Sequence, residues 1–425
     1  MRSARPALAA IIALLSANPA RAYAVLSHEA LVDALWDTEY KHVLLLRFPH
    51  ATASELKEAH SYAYGGAAIQ DMGFYPHNNG YFSDLTHYVR SADFILRLIA
   101  DSQTLDEYAF ALGALSHYYG DNVGHGSGTN KAEPLLYPKL RREYGNVLTY
   151  ADNPSKHLQT EYAFDVNEIA ERQYASQSYQ DFIGFNVAQP LLKRAFRETY
   201  GFDITEMYND FDKAIGSYRY TLSTLIPFFT RVAWANHRNQ IQQTRPTMTK
   251  REFLFVMSRS SYERHWGRDY ARPSVWDRML AFLVRILPPI GHIRLLKFRA
   301  LTPPTQQIFM HSFDLATPGY RSALAASGAG TLRIENRNFD LGFVSAPGEY
   351  ALQDDAYAYW MSRLGRHNFA GIDDAMRADL LRYYANLNAP FHTKENAKQW
   401  QTLLRELGTL KALQPAREAP VAGKE

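Results

Sequence analysis

From Ser27 onward the apolar residues of this chain recur three and four positions apart, in segment after segment. That rhythm constrains the fold more than any other feature. In SHEALVDALWD, Ala30, Leu31, Ala34 and Leu35 line one face of a helix, and Ser27 is placed as its N-cap. THYVRSADFILRLIA, LDEYAFALGALSHYYGD and HLQTEYAFDVNEIAERQYA keep the same period, as do residues 188–200 and 205–238. No series of alternating strands and no βαβ rhythm interrupts it. The spacing predicts an all-α fold.

Loops are expected at 73–82, GFYPHNNGYF, and across 124–156, which holds GHGSGTNKAEP and ADNPSK. QQTRPTM marks a boundary near residue 240, followed by a second, mostly helical region over 241–410 and a disordered tail over 411–425. At the other end, MRSARPALAAIIALLSANPARA has two early arginines, a short apolar run and Ala20-Arg21-Ala22. This is the layout of a signal peptide spanning 1–22, so the chain is expected to be exported to the periplasm or secreted, with Tyr23 as its new N-terminus.

Within 274–300 apolar residues and arginines are mixed, and Pro288-Pro289 divide the stretch. Two readings stand: a buried helix followed by a turn, or a peripheral contact with a lipid surface. A net charge of +3 over 425 residues leaves no electrostatic footprint for nucleic acid. Nothing in the sequence implies an oligomer. The chain has no cysteine, so any metal site must use His, Asp, Glu or backbone groups.

Such groups are abundant and ordered. His117 and Asp121 stand four apart in HYYGD, and His157 and Glu161 repeat the spacing in HLQTE. A helix puts each pair on one face. An isolated pair of this kind is as often a plain ion pair as a metal site. Two pairs joined by a glycine-rich segment that offers His125 are harder to dismiss. Asp71 lies where a helix gives way to a loop, His87 near the start of the next helix, and His28 a few residues after the expected cleavage site. The free amine and the carbonyl of Tyr23 can chelate a metal in a five-membered ring. Nine candidates divided among ions with a shared carboxylate suggest three metals.

From Tyr23 to about residue 240 these motifs resemble the zinc-dependent phospholipase C family, which is related in fold to the P1/S1-type nucleases. The resemblance implies a helical bundle with three zinc ions in a cleft that hydrolyses phosphodiesters; the phospholipase branch yields diacylglycerol and a phosphorylated headgroup. Carried onto this sequence, it implies one zinc on Asp71, His87, His117 and Asp121, and a second on His125, His157 and Glu161. A third would take Tyr23 and His28, with Asp121 bridging. Tyr23 stands where the family usually has Trp. His125 follows Asp121 by four residues, where the phospholipase branch places its histidine six on.

The expected chemistry is metal-assisted attack of water on a phosphodiester. Asp71 can serve as ligand, as general base, or as both. Tyr75, Tyr81 and Phe82 are candidates for an apolar substrate-binding rim. Two alternatives remain: a P1/S1-like nuclease for single strands, which needs aromatics to stack on bases, and a non-catalytic secreted protein with structural zinc.

Overall fold

The computed structural model describes residues 25–75, 77–171, 185–220, 222, 299 and 301–413, with the side chains of 166–171 and 220 left aside. Among these residues the fold is all-α, with no strand and one isolated β-bridge between Asn338 and Phe343. The first half carries α1 (Val25–Leu35), α2 (Lys41–Arg47), α3 (Ala53–Ala67), α4 (Gly80–Tyr88), α5 (Ser91–Asp101) and α6 (Leu105–Val123). Then come α7 (Asn130–Leu136), α8 (Pro138–Tyr144), α9 (Pro154–Glu171), α10 (Gln189–Tyr200) and α11 (Phe211–Tyr220). The C-terminal part adds α12 (Pro303–Gly328), α13 (Ala351–Arg366), α14 (Asp374–Tyr383) and α15 (Ala397–Ala412).

The two helices that organise the molecule are α3 and α6. Each begins with a threonine cap: Thr52 forms a capping box with Glu55, and the Thr104 side chain accepts from the Glu107 amide. They cross almost backbone to backbone. A Cβ built on Gly66 would lie 2.0 Å from the Phe110 carbonyl oxygen, and one on Gly113 would lie 2.1 Å from that of Ala63. Only glycine permits this approach, and it sets the end of α3 beside the second half of α6, where the polar residues converge.

The remaining helices wrap this pair. Leu31, Leu112, Tyr320, Trp360 and Leu407 all belong to one continuous buried core, so α12–α15 share the apolar interior of the first half. Burial of each such side chain contributes roughly 1.5–3 kcal/mol. α12 packs along α6 and against α1 and α2, while α13 packs on α4.

The expected loop at 124–156 is largely helical. Residues Gly124–Thr129 form a π-helix that continues α6, and α7, α8 and the first residues of α9 follow. Glycine and proline read as breakers in sequence, but here tertiary contact holds them: Gly128 abuts Ser312 of α12, and Pro138 opens α8 at its first turn, where its missing N–H costs nothing. The expected loop at 73–82 ends early, because α4 begins at Gly80 with Asn79 as its cap. No helix among the described residues is long and apolar enough to cross a membrane. The expected signal peptide, segment 274–298 and the tail from 414 lie outside the described residues.

Candidate metal centre

On α6, His117 and Asp121 face the end of α3, as their spacing requires, with 2.9 Å between His117 Nε2 and Asp121 Oδ2. His87 at the end of α4 brings its Nε2 within 3.2 Å of the same oxygen and 3.6 Å of Asp71 Oδ1. Asp71 belongs to the 3-10 turn Gln70–Phe74 that follows α3. The other Asp121 oxygen, Oδ1, lies 3.2 Å from Nε2 of His28 on α1, whose ring stacks on that of His117 at 4.1 Å. Space for His28 comes from Gly120, where a Cβ would stand 2.8 Å from His28 Nδ1.

A second group gathers His125, His157 and Glu161. His157 Nε2 is 2.9 Å from Glu161 Oε1 and 3.1 Å from His125 Nδ1. The π-helix explains how His125 reaches it. On a regular α-helix a residue four past Asp121 would stay on the face of His117 and Asp121, but the wider turn at Gly124–Thr129 rotates His125 toward α9.

All eight sequence candidates other than Tyr23 thus fall into three buried clusters able to hold a metal ion: His28/His117/Asp121, Asp71/His87/His117 and His125/His157/Glu161. Tyr23 lies outside the described residues. The chemistry of the donors fits zinc. Both carboxylate oxygens of Asp71, Asp121 and Glu161 are buried, and apart from the histidine rings of the clusters no donor among the described residues reaches them. Buried carboxylates with so few donors are costly unless a cation compensates them.

Backbone and side-chain acceptors orient the imidazoles. His117 Nδ1 lies 2.9 Å from the Ala67 carbonyl oxygen and His87 Nδ1 lies 2.8 Å from that of Ser83. A carbonyl can only accept, so both Nδ1 atoms carry hydrogen and both Nε2 atoms face the cluster. His157 Nδ1 is 3.1 Å from Glu133 Oε2, a buried carboxylate–histidine pair of the kind that steers metal ligands. Asp165 accepts from the backbone N–H groups of Leu26 and Ser27, fixing the start of α1 just ahead of His28.

Burial and the paired charges shift the titratable groups of the centre strongly. Burial pushes His87 down, but hydrogen bonds to Asp121 and Asp71 lift it to about 10. Burial likewise opposes His157, and the Glu161 and Glu133 carboxylates raise it to about 10. Burial brings His125 down to about 4, which the nearby Asp340 and Asp121 charges offset only in part. Burial also pushes the Glu161 carboxyl well up. Asp121 is held well below its ordinary value, because His117 and His28 outweigh its burial.

The expected apolar rim is corrected by the packing. Phe82 is fully buried against Phe196, and Tyr75 is buried edge-on to Tyr218, so both are core residues. Tyr81 alone of the three keeps surface, stacked at 4.0 Å on Tyr359 and lining an open cleft of about 680 Å³. Asp84 lines the same cleft, one turn before His87; burial raises its carboxyl to about 7.

Glu133, Asp165, Asp84 and Asp340 are polar residues of the centre that the motifs do not name. Asp165 was open to detection, since it extends the His157, Glu161 series by another four positions on α9. Asp84 stands three before His87 and shares its side of α4. Glu133 and Asp340 have no such local signature.

A family model described as zinc dependent phospholipase C matches residues 27–208. No curated protein and no solved structure matches the chain. The matched region holds every residue of the three clusters, from His28 to Glu161. Over residues 27–208 this chain is therefore similar to the zinc-dependent phospholipase C family.

Proposed function

We propose that the protein is a zinc-dependent phospholipase C that cleaves a phospholipid to diacylglycerol and a phosphorylated headgroup. One observation carries the reading: three adjoining His/carboxylate clusters, all buried, within a region matched to that family. We assign Asp71, His87, His117 and Asp121 to one zinc, His125, His157 and Glu161 to a second, and Tyr23 and His28 to a third that shares Asp121. The catalytic unit spans 23–240, with 241–410 as an appended helical region, and the mature chain is exported after loss of 1–22.

Zinc, when bound, supplies Lewis acidity toward a phosphoryl oxygen and acidifies water. The chain's own residues do the rest. Ala67, Ser83 and Glu133 lock the rings of His117, His87 and His157 so that Nε2 faces the clusters. Apart from the His87 ring, no donor among the described residues reaches either carboxylate oxygen of Asp71, which supports a role as proton acceptor beside its role as ligand. The cleft lined by His77, Tyr81, Asp84, Tyr208 and Lys213 contains none of the cluster residues, but its Asp84 stands one turn before His87 and interacts with its charge, and its Lys213 ammonium suits an anionic phosphate diester. Tyr81 offers an aromatic surface to the lipid part.

Product analysis tests the reading. The purified mature chain is incubated with mixed micelles of phosphatidylcholine, of other phospholipids, and with single-stranded DNA. Release of diacylglycerol that stops on chelation and returns with zinc is expected. Cleavage of the DNA with intact lipids would reassign the enzyme to nuclease chemistry. Zinc retention without either activity would leave a structural metal protein.

A further inference from the structure

Residues 338–343, far beyond the matched region, form a tight turn pressed against the metal centre. The Asn338 amide donates to the Phe343 carbonyl oxygen and the Gly342 amide to that of Asn338. The Phe339 amide donates to the backbone carbonyl of His87 at 3.2 Å, and its fully buried ring lies 5.2 Å from the His87 ring and 6.2 Å from that of His117. The next residue, Asp340, is buried, and its backbone carbonyl accepts from Asn130 Nδ2 at 2.7 Å.

The Asp340 carboxylate has a division of labour. Its Oδ2 accepts from the Tyr88 hydroxyl at 2.8 Å and from the Tyr350 hydroxyl. Its Oδ1 points to His125 Nε2, 3.5 Å away. His125 turns its other nitrogen, Nδ1, to His157. The ring therefore lies between the cluster on one side and Asp340 on the other, the latter at ion-pair rather than hydrogen-bond distance. His125 needs such a hold more than the other ligands do. It lies in GHGSGT, where three glycines in six residues leave little side-chain packing of its own, and among the described residues no carbonyl is bonded to its ring as Ala67 and Ser83 are to His117 and His87.

We propose that the turn 338–343 completes the His125/His157/Glu161 zinc site, with Asp340 as the positioning residue that fixes the His125 ring and directs its Nδ1 to the metal. A carboxylate behind a ligating imidazole sets its tautomer and raises its basicity, and removal of such a partner costs roughly 10–100-fold in metal affinity. This inference rests on the zinc reading of the three clusters. It makes the C-terminal part of the chain a component of the centre.

The test is a zinc competition titration of the full mature chain against a chromophoric chelator, for wild type, Asp340→Ala, Asp340→Asn, His125→Ala and the Asp340→Ala/His125→Ala double variant. Asp340→Ala is expected to weaken one zinc of the set by roughly 10–100-fold and leave the others unchanged. The double variant is expected to bind as His125→Ala does, since the two residues act through one ligand. A purely structural role would instead lower the melting temperature of the metal-free protein and leave every affinity as in wild type; that result overturns the inference. So does a further loss in the double variant. Should Asp340→Ala fail to fold, the isosteric Asp340→Asn is expected to weaken the same single zinc, and unchanged affinity there is equally contrary. Wild-type protein that binds no zinc would defeat the underlying zinc reading, a result distinct from three wild-type sites insensitive to Asp340.

Discussion

Asp121 Oδ1 lies 3.2 Å from His28 Nε2, joining α1 to the last turn of α6. Its second oxygen meets His117 and His87, so this one carboxylate touches residues of two of the three clusters. Asp121→Asn keeps the shape but removes the charge that both clusters share. Zinc content should fall by more than one ion, and diacylglycerol release should drop by roughly 100-fold or more. Metal analysis and initial rates on the same preparation check both.

Glu133 bonds the imidazole of His157 from behind. Glu133→Gln should weaken the zinc held by His125, His157 and Glu161 by roughly 10–100-fold while leaving the His117/Asp121 sites intact. Competition titration separates the classes. Uniform weakening of all sites would show that Glu133 acts on the fold instead.

In the metal-free protein His87 and His157 hold protons up to about pH 10, whereas a zinc ligand must be neutral. Zinc binding at pH 8 should therefore release protons, and apparent affinity should rise with pH. Calorimetry in buffers of different ionisation enthalpy measures the release. The same raised values stabilise the metal-free fold below pH 6.5, the ordinary value for histidine, and that contribution is lost as pH rises through about 10. Chelator-treated protein should thus melt at a lower temperature at pH 10 than at pH 7, with a smaller difference in the zinc-loaded form.

Asp84 shows the opposite linkage. Burial raises its carboxyl from 3.8 to about 7, so ionising it opposes folding progressively above pH 3.8, reaching the full cost above pH 7. Asp84→Asn should raise the melting temperature at pH 8 and change it little at pH 4.

The crossing of α3 and α6 allows no side chain at Gly113, where a Cβ would stand 2.1 Å from the Ala63 carbonyl oxygen. Gly113→Val should cost at least the roughly 1–3 kcal/mol typical of overpacking, because backbone rather than a flexible side chain must move. Denaturant melts should show a lower midpoint together with lost zinc, since Asp71 follows α3 directly.

Much of the centre was legible because it is local. The pairs His117/Asp121 and His157/Glu161 are set by helical spacing, and a helix delivers them to one face without help from the rest of the fold. What was not legible depends on contacts between distant segments. Glu133 and Asp340 reach His157 and His125 through packing that no spacing encodes. The glycines of 124–129 suggested a loop, yet α12 presses them into a π-helix, and that turn is what carries His125 to its cluster. Tyr75 and Phe82 suggested a rim because aromatic residues in a short polar segment look exposed; burial against Tyr218 and Phe196 is decided elsewhere in the chain.

The central claim is that the described clusters hold zinc. Anomalous diffraction recorded above and below the zinc edge, from crystals of the mature chain grown without added chelator, tests it most directly. The account predicts peaks between His117, His87 and Asp71, between His125, His157 and Glu161, and beside His28 and Asp121. Difference maps with no anomalous peak at His117 and Asp121, from protein that hydrolyses phospholipid, would contradict it.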